Sequence, residues 1–88
     1  MSVTIVAELE GYLLIARSNP RSDRFAVVER RAGRLYNCHS GERGSVAVHD
    51  LAAVPTIMDE QDWVDLARAR SSLEEADARW RDLAERML

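Results

Sequence analysis

The residues nearest in type and spacing to a nucleophilic site are Cys38, His39, Ser45, His49 and Asp50. Cys38 with His49 as base, or Ser45 with His49 and Asp50, would pair a nucleophile with a proton acceptor. Such a pair also needs a turn that presents the nucleophile and donors for an oxyanion, and no nucleophile elbow or Gly-rich phosphate loop accompanies it. Metal chemistry has as little support. Adjacent strand residues point to opposite faces, so Cys38 and His39 do not readily share an ion, and with His49 they make three ligands where a structural zinc site takes four. Cys38 reads as a small buried hydrophobe. A chain of 88 residues also has little interior left for a substrate pocket of roughly 300 Å³ or more. The expectation is a protein that is not an enzyme and has no catalytic residue, cofactor, metal or small-molecule substrate.

Binding chemistry is better represented. Arg17, Arg21, Arg24, Arg30, Arg31 and Arg34 stand against only Asp23 and Glu29 within residues 17–34, with Tyr12, Phe25 and Tyr36 in or near the same strands. Guanidinium groups interleaved with aromatic rings on a sheet can grip phosphates and stack bases. Arg24, Arg30, Arg31 and Arg34 are therefore candidate nucleic-acid contacts. The competing reading is a solvated sheet edge that discourages strand pairing. An isoelectric point near 5.3 favours that second reading, because dedicated nucleic-acid binders are strongly basic.

The most regular pattern lies in residues 59–88. Leu66, Ala69, Leu73, Ala76, Trp80, Leu83 and Met87 recur with alternating gaps of three and four, an a/d seam that continues a stripe begun by Trp63. No Gly or Pro interrupts this stretch. A single helix over 59–88 is expected, with Asp59 or Thr56 at its start and Asp59, Glu60 and Asp62 suiting its positive end. The alternative is a break at Ser71-Ser72, where Ser72-Leu73-Glu74-Glu75 matches a capping box. Glu75/Arg79, Asp77/Arg81 and Asp82/Arg86 are acid-before-base pairs at i, i+4 that support helix beyond the serines.

The elements that must position these residues follow from the rest of the pattern. Residues 1–50 read as an antiparallel β-meander of four or five strands, curled as far as a half-barrel in one form. In its first strand Val3, Ile5, Ala7 and Leu9 alternate with Ser2, Thr4, Val6 and Glu8. Glu10-Gly11 is a turn or bulge, residues 12–17 a second strand, and 18–23 the clearest loop. Residues 24–30 put Phe25 and Val27 on one face and Ala26 and Val28 on the other. Arg31-Ala32-Gly33-Arg34 places Gly where positive φ is wanted, and residues 40–44 form another turn before a short strand at 45–49. Residues 51–58 are a connector, in which Asp50 caps one helical turn that Pro55 ends. The fold class is α+β, in one domain over 1–88.

A thirty-residue helix is about 45 Å long and strands of six or seven residues span about 20–23 Å, so the sheet cannot cover the whole tail. The surplus apolar surface would mark an interaction site, with Trp63, Leu66, Leu73, Ala76, Trp80, Leu83 and Met87 as its candidate residues. At this size the core is thin and dimerisation is a common support. The single cysteine excludes an intrachain disulfide and fits a reducing compartment. Neither a signal sequence nor an apolar run of membrane-spanning length is evident, which points to the cytoplasm and to no membrane partner. All twelve basic residues are Arg, a mark of a GC-rich coding genome more than of twelve separate needs for the guanidinium fork. The charge is divided: residues 1–58 carry seven Arg and six acids, residues 59–88 five Arg and nine acids.

The function expected is a small protein–protein interaction module of bacterial or phage type. It would be an adaptor, regulator or inhibitor of a larger complex that self-associates as a dimer through the tail or captures another protein. A nucleic-acid-binding regulator that uses the Arg hairpin is the alternative. A further variant has the acidic tail imitate a phosphate backbone and block a nucleic-acid-binding protein.

Overall fold

The computed structural model describes residues 2–18, 24–38 and 44–87. Five antiparallel strands, β1 (Ser2–Glu8), β2 (Tyr12–Ser18), β3 (Arg24–Arg31), β4 (Arg34–Asn37) and β5 (Ser45–Ala47), follow each other in the sheet in chain order, and the sheet is not closed. Two 3₁₀ segments, Leu51–Ile57 and Glu60–Asp62, lead into α1 (Leu66–Arg86). This is the expected α+β meander with a long C-terminal helix. Of the loop expected at 18–23 and the turn expected at 40–44, residues 19–23 and 40–43 lie outside the described residues, as does His39; Ser18 is the last residue of β2.

Strand alternation divides the sheet's side chains between two faces. Leu13, Ile15, Ala26, Val28, Leu35 and Val46 form one cluster with Val54, Ile57, Met58 and Trp63. Leu14, Phe25 and Val27 face the other way, against Ala69, Leu73 and Leu66 of α1. The protein is therefore layered, with the 3₁₀ segment on one side of the sheet and the helix on the other. Residues 51–58, expected as a connector, are a wall of the main core. Nor does Pro55 end their helical turn: Leu51–Ile57 runs through it, closed by Met58 N–H donating to Pro55 O at 3.3 Å. A short 3₁₀ run loses only one bond to the missing proline N–H.

The helix starts at Leu66 and not at Asp59. The cause is a strand-like contact. Phe25 of β3 and Val64 exchange backbone hydrogen bonds at 2.8 Å each where β4 no longer flanks β3, and this holds Val64 extended. Asp65 then caps the helix by accepting from Arg68 N–H at 2.8 Å. The acids upstream serve a tighter turn, in which Asp59 N–H donates to Asp62 Oδ2 at 2.7 Å and Asn37 Nδ2 donates to the same oxygen at 3.0 Å. Beyond Leu66 the helix is continuous, and the break at Ser71-Ser72 does not occur.

In β1 the expected alternation fails at one point. Ile5 pairs with Ile15 but Ala7 pairs with Leu14, so Val6 is an extra residue in the edge strand. This bulge turns Ala7 and Leu9 toward the helix while Val3 stays with the other face. Ile5 and Val6 are left 43% exposed, and the irregular edge is a poor template for further strands.

Candidate interaction surface at the helix end

α1 has 21 residues, about 32 Å at 1.5 Å per residue. It begins beside Phe25 and runs toward the end of the sheet that carries the β1–β2 and β3–β4 turns. Its buried residues are Ala69, Leu73 and Ala76. Four residues on, Trp80 meets the last piece of its own sheet. The indole lies against Gly11, where an added Cβ would come within 3.0–3.2 Å of Nε1, Cδ1 and Cε2 of the ring. Gly11 is there because the turn must pass close under an aromatic ring. From Arg81 to Met87 every residue is exposed, so two turns of helix project beyond the sheet.

The apolar row does not stop where the sheet does. Leu83 is 59% and Met87 86% exposed, and both continue the a/d positions that are buried at Leu73 and Ala76. Beside them a cleft of about 400 Å³ is lined by Glu10, Asp77, Trp80, Arg81, Ala84 and Glu85. Arg81 and Asp77 form an ion pair at 2.9 Å, and Arg86 and Asp82 one at 3.1 Å. Glu75 and Arg79 line a second cleft of about 330 Å³ together with Cys38.

The seven seam residues thus have three fates. Trp63 is buried in the cluster on the far side of the sheet, and Leu73 and Ala76 are buried beneath the helix. Leu66 and Trp80 are partly covered. Only Leu83 and Met87 are largely exposed. Trp63 has left the helical stripe altogether because residues 63 and 64 are extended. Its ring carries the Arg17 guanidinium at 4.7 Å, and Arg17 also donates to both Glu60 oxygens at 2.9 and 3.2 Å. Those hydrogen bonds hold the Glu60 carboxyl below the usual carboxylate range.

The arginines of the hairpin are mostly engaged. Arg30 donates to the carbonyls of Leu9 and Glu10 and pairs with Glu8, which binds the β1–β2 turn to β3. Arg34 donates from Nε to Ser45 Oγ at 2.6 Å and from Nη2 to Ser45 O at 3.0 Å. Arg31 stacks on Tyr36 at 4.5 Å, with Glu29 at 3.7 Å. Arg24 is exposed at the start of β3. Only Arg31 and Arg34 share the sheet face of Phe25 and Tyr36, Arg24 and Arg30 lie on the opposite face by strand alternation, and Arg30, Arg31 and Arg34 are all engaged by neighbouring strands and turns.

Burial pushes the Cys38 thiol up to about 12, with the nearby Glu29 carboxylate adding to the shift. A thiol so held is protonated near neutrality and is a poor nucleophile. Among the described residues no group of three or more His, Cys, Asp or Glu is arranged to hold a metal. None of the described helices is long and apolar enough to cross a membrane.

Sequence reasoning passed over Glu10, Ala84 and Glu85. A signal for the helical pair was present: Asp77, Arg81, Ala84 and Glu85 fall on one flank beside Trp80 at helical spacing. Glu10 joins them only because the β1–β2 turn folds under the helix. Comparison with protein-family models, curated proteins and solved structures returns no match.

Proposed function

We propose that this protein is a non-enzymatic protein–protein interaction module that self-associates through the projecting end of α1. The observation that carries the reading is the pair Leu83 and Met87, 59% and 86% exposed, in line with Leu73 and Ala76, which are core two or more turns earlier. Burying a leucine or methionine side chain is worth about 1.5–3 kcal/mol, so an apolar row held out from a small domain favours association. The contact is small. Two helical turns fall well short of the roughly 800 Å² per partner of a standard interface, which implies a dissociation constant of about micromolar or weaker.

Sedimentation velocity over a concentration series tests this. The wild type should pass from monomer to dimer, and Leu83→Asp with Met87→Asp should remain monomeric with unchanged circular dichroism. A wild type that stays monomeric at several hundred micromolar, roughly the limit set by the small contact, refutes self-association. Leu83 and Met87 are the residues to change because Trp80 also holds the β1–β2 turn.

A further inference from the structure

We infer that the cleft between the first turns of α1 and β3 binds a small zwitterion, an α-amino acid with an apolar side chain, between the Asp62 carboxylate and the Arg68 guanidinium. This site lies at the opposite end of α1 from Leu83 and Met87 and does not rest on self-association. Its volume is about 460 Å³. The expectation that so short a chain leaves no room for a small molecule concerns its interior, whereas this cleft is a step in the surface. It exists because the Phe25–Val64 hydrogen bonds hold the chain extended just before the helix. The 3₁₀ turn Glu60–Asp62 and the first turns of α1 therefore do not merge into one helix, and the gap between them opens over β3.

The lining divides by chemistry. Ala26, Val27, Val64 and Ala69 supply apolar surface. Asp62 and Arg68 supply one carboxylate and one guanidinium, with Gln61 and Ser72 as further hydrogen-bonding groups. Asp62 is fixed in place, since its Oδ2 accepts from Asp59 N–H at 2.7 Å and from Asn37 Nδ2 at 3.0 Å. Its Oδ1 remains to accept from a ligand, because an ionised carboxylate accepts at both oxygens. The Arg68 side chain has no ion pair among the described residues, and it does not bridge to Asp62 although both line the same cleft. A cation bound here would satisfy Asp62 and desolvate Arg68 without a partner, and an anion would do the reverse. A zwitterion engages both. Its ammonium donates to Asp62 Oδ1, its carboxylate accepts two parallel N–H bonds from Arg68, and an apolar side chain covers Val27 and Val64.

Titration of the isotope-labelled full chain with L-leucine, followed by amide chemical shifts, tests the site. A ligand of about ten non-hydrogen atoms in an open cleft implies a dissociation constant of about 0.1–1 mM. Leucine raised to about 20 mM, well above that range, should shift the amides of Val27, Val64 and Ser72 saturably and leave those of β5 in place. N-Acetyl-leucine, which lacks the ammonium, and isoamylamine, which lacks the carboxylate, should each bind about tenfold more weakly or worse, the factor that one charge-assisted contact supplies. Arg68→Gln should weaken leucine by a similar factor and leave the residual binding of isoamylamine unchanged, a split that general loosening of the helix would not produce. If that variant loses its helix by circular dichroism, the comparison of the three ligands on the wild type decides. No saturable shift with leucine, equal binding of leucine and its two analogues, or equal binding of leucine by the wild type and a folded Arg68→Gln would each overturn the proposal.

Discussion

Leu73→Ala should detach the helix without unfolding the sheet. Of the buried residues in α1, Leu73 is the only one larger than alanine, and it packs with Leu14 and Ala69 in the smaller of the two apolar clusters. Truncating a buried leucine costs about 2–5 kcal/mol, from lost transfer energy and the cavity left behind. The larger cluster, on the other side of the sheet, takes no residue from α1. The loss therefore falls on the docking of the helix and not on the whole fold. In native-state hydrogen exchange at 25 °C, amides of α1 around Leu73 should lose protection by roughly thirtyfold to a few thousandfold, the factor that corresponds to that energy. Amides of β2 and β3 should keep most of theirs. Val54→Ala, in the larger cluster, serves as the contrast and should lower protection throughout. Equal loss of protection in strands and helix of the Leu73 variant would refute the division into two separately supported layers.

Two further outcomes follow from local geometry. The β3–β4 turn has both central residues at positive φ, Ala32 at 52° and Gly33 at 77°, and alanine is a poor choice for the first. Ala32→Asn should stabilise the fold by about 0.5–1 kcal/mol, read as a higher midpoint in urea; an unchanged or lower midpoint would contradict that turn geometry. Glu60 has its carboxyl lowered by the Arg17 hydrogen bonds, so its contribution is present above the ordinary glutamate range and is lost as pH falls through the lowered value. Thermal melts from pH 7 down to pH 3, roughly the carboxylate range, should show the wild type losing stability more steeply than Glu60→Gln, and parallel curves would exclude the linkage.

The fold class was legible because the evidence for it is local. Alternation in β2 and β3, turn residues at Gly11 and at Ala32-Gly33, and an a/d row without Gly or Pro each constrain a few residues at a time. Continuity through Ser71-Ser72 was also readable, since the heptad phase passes unbroken and no neighbouring element competes for those serines. The helix start was not. Asp59, Glu60 and Asp62 are good N-terminal residues, but Phe25 offers Val64 two backbone hydrogen bonds, and a contact between residues so far apart in sequence leaves no trace in local pattern. The Val6 bulge was hidden for a similar reason, because β1 is apolar on both faces and its register is set by pairing with β2.

What the sequence determined by itself is the set of surfaces: two apolar strand faces, one apolar helix row and a divided charge. What only the tertiary structure decided is which of those surfaces meet. Trp63 reads as the first residue of the helical seam, yet it is buried on the opposite side of the sheet. Leu73 and Met87 occupy equivalent seam positions, but one is core and the other is exposed because the sheet ends between them, at Gly11 under Trp80. Periodicity records the face on which a residue lies. Whether that face is covered depends on how far the neighbouring layer extends, and that length is a property of the folded sheet.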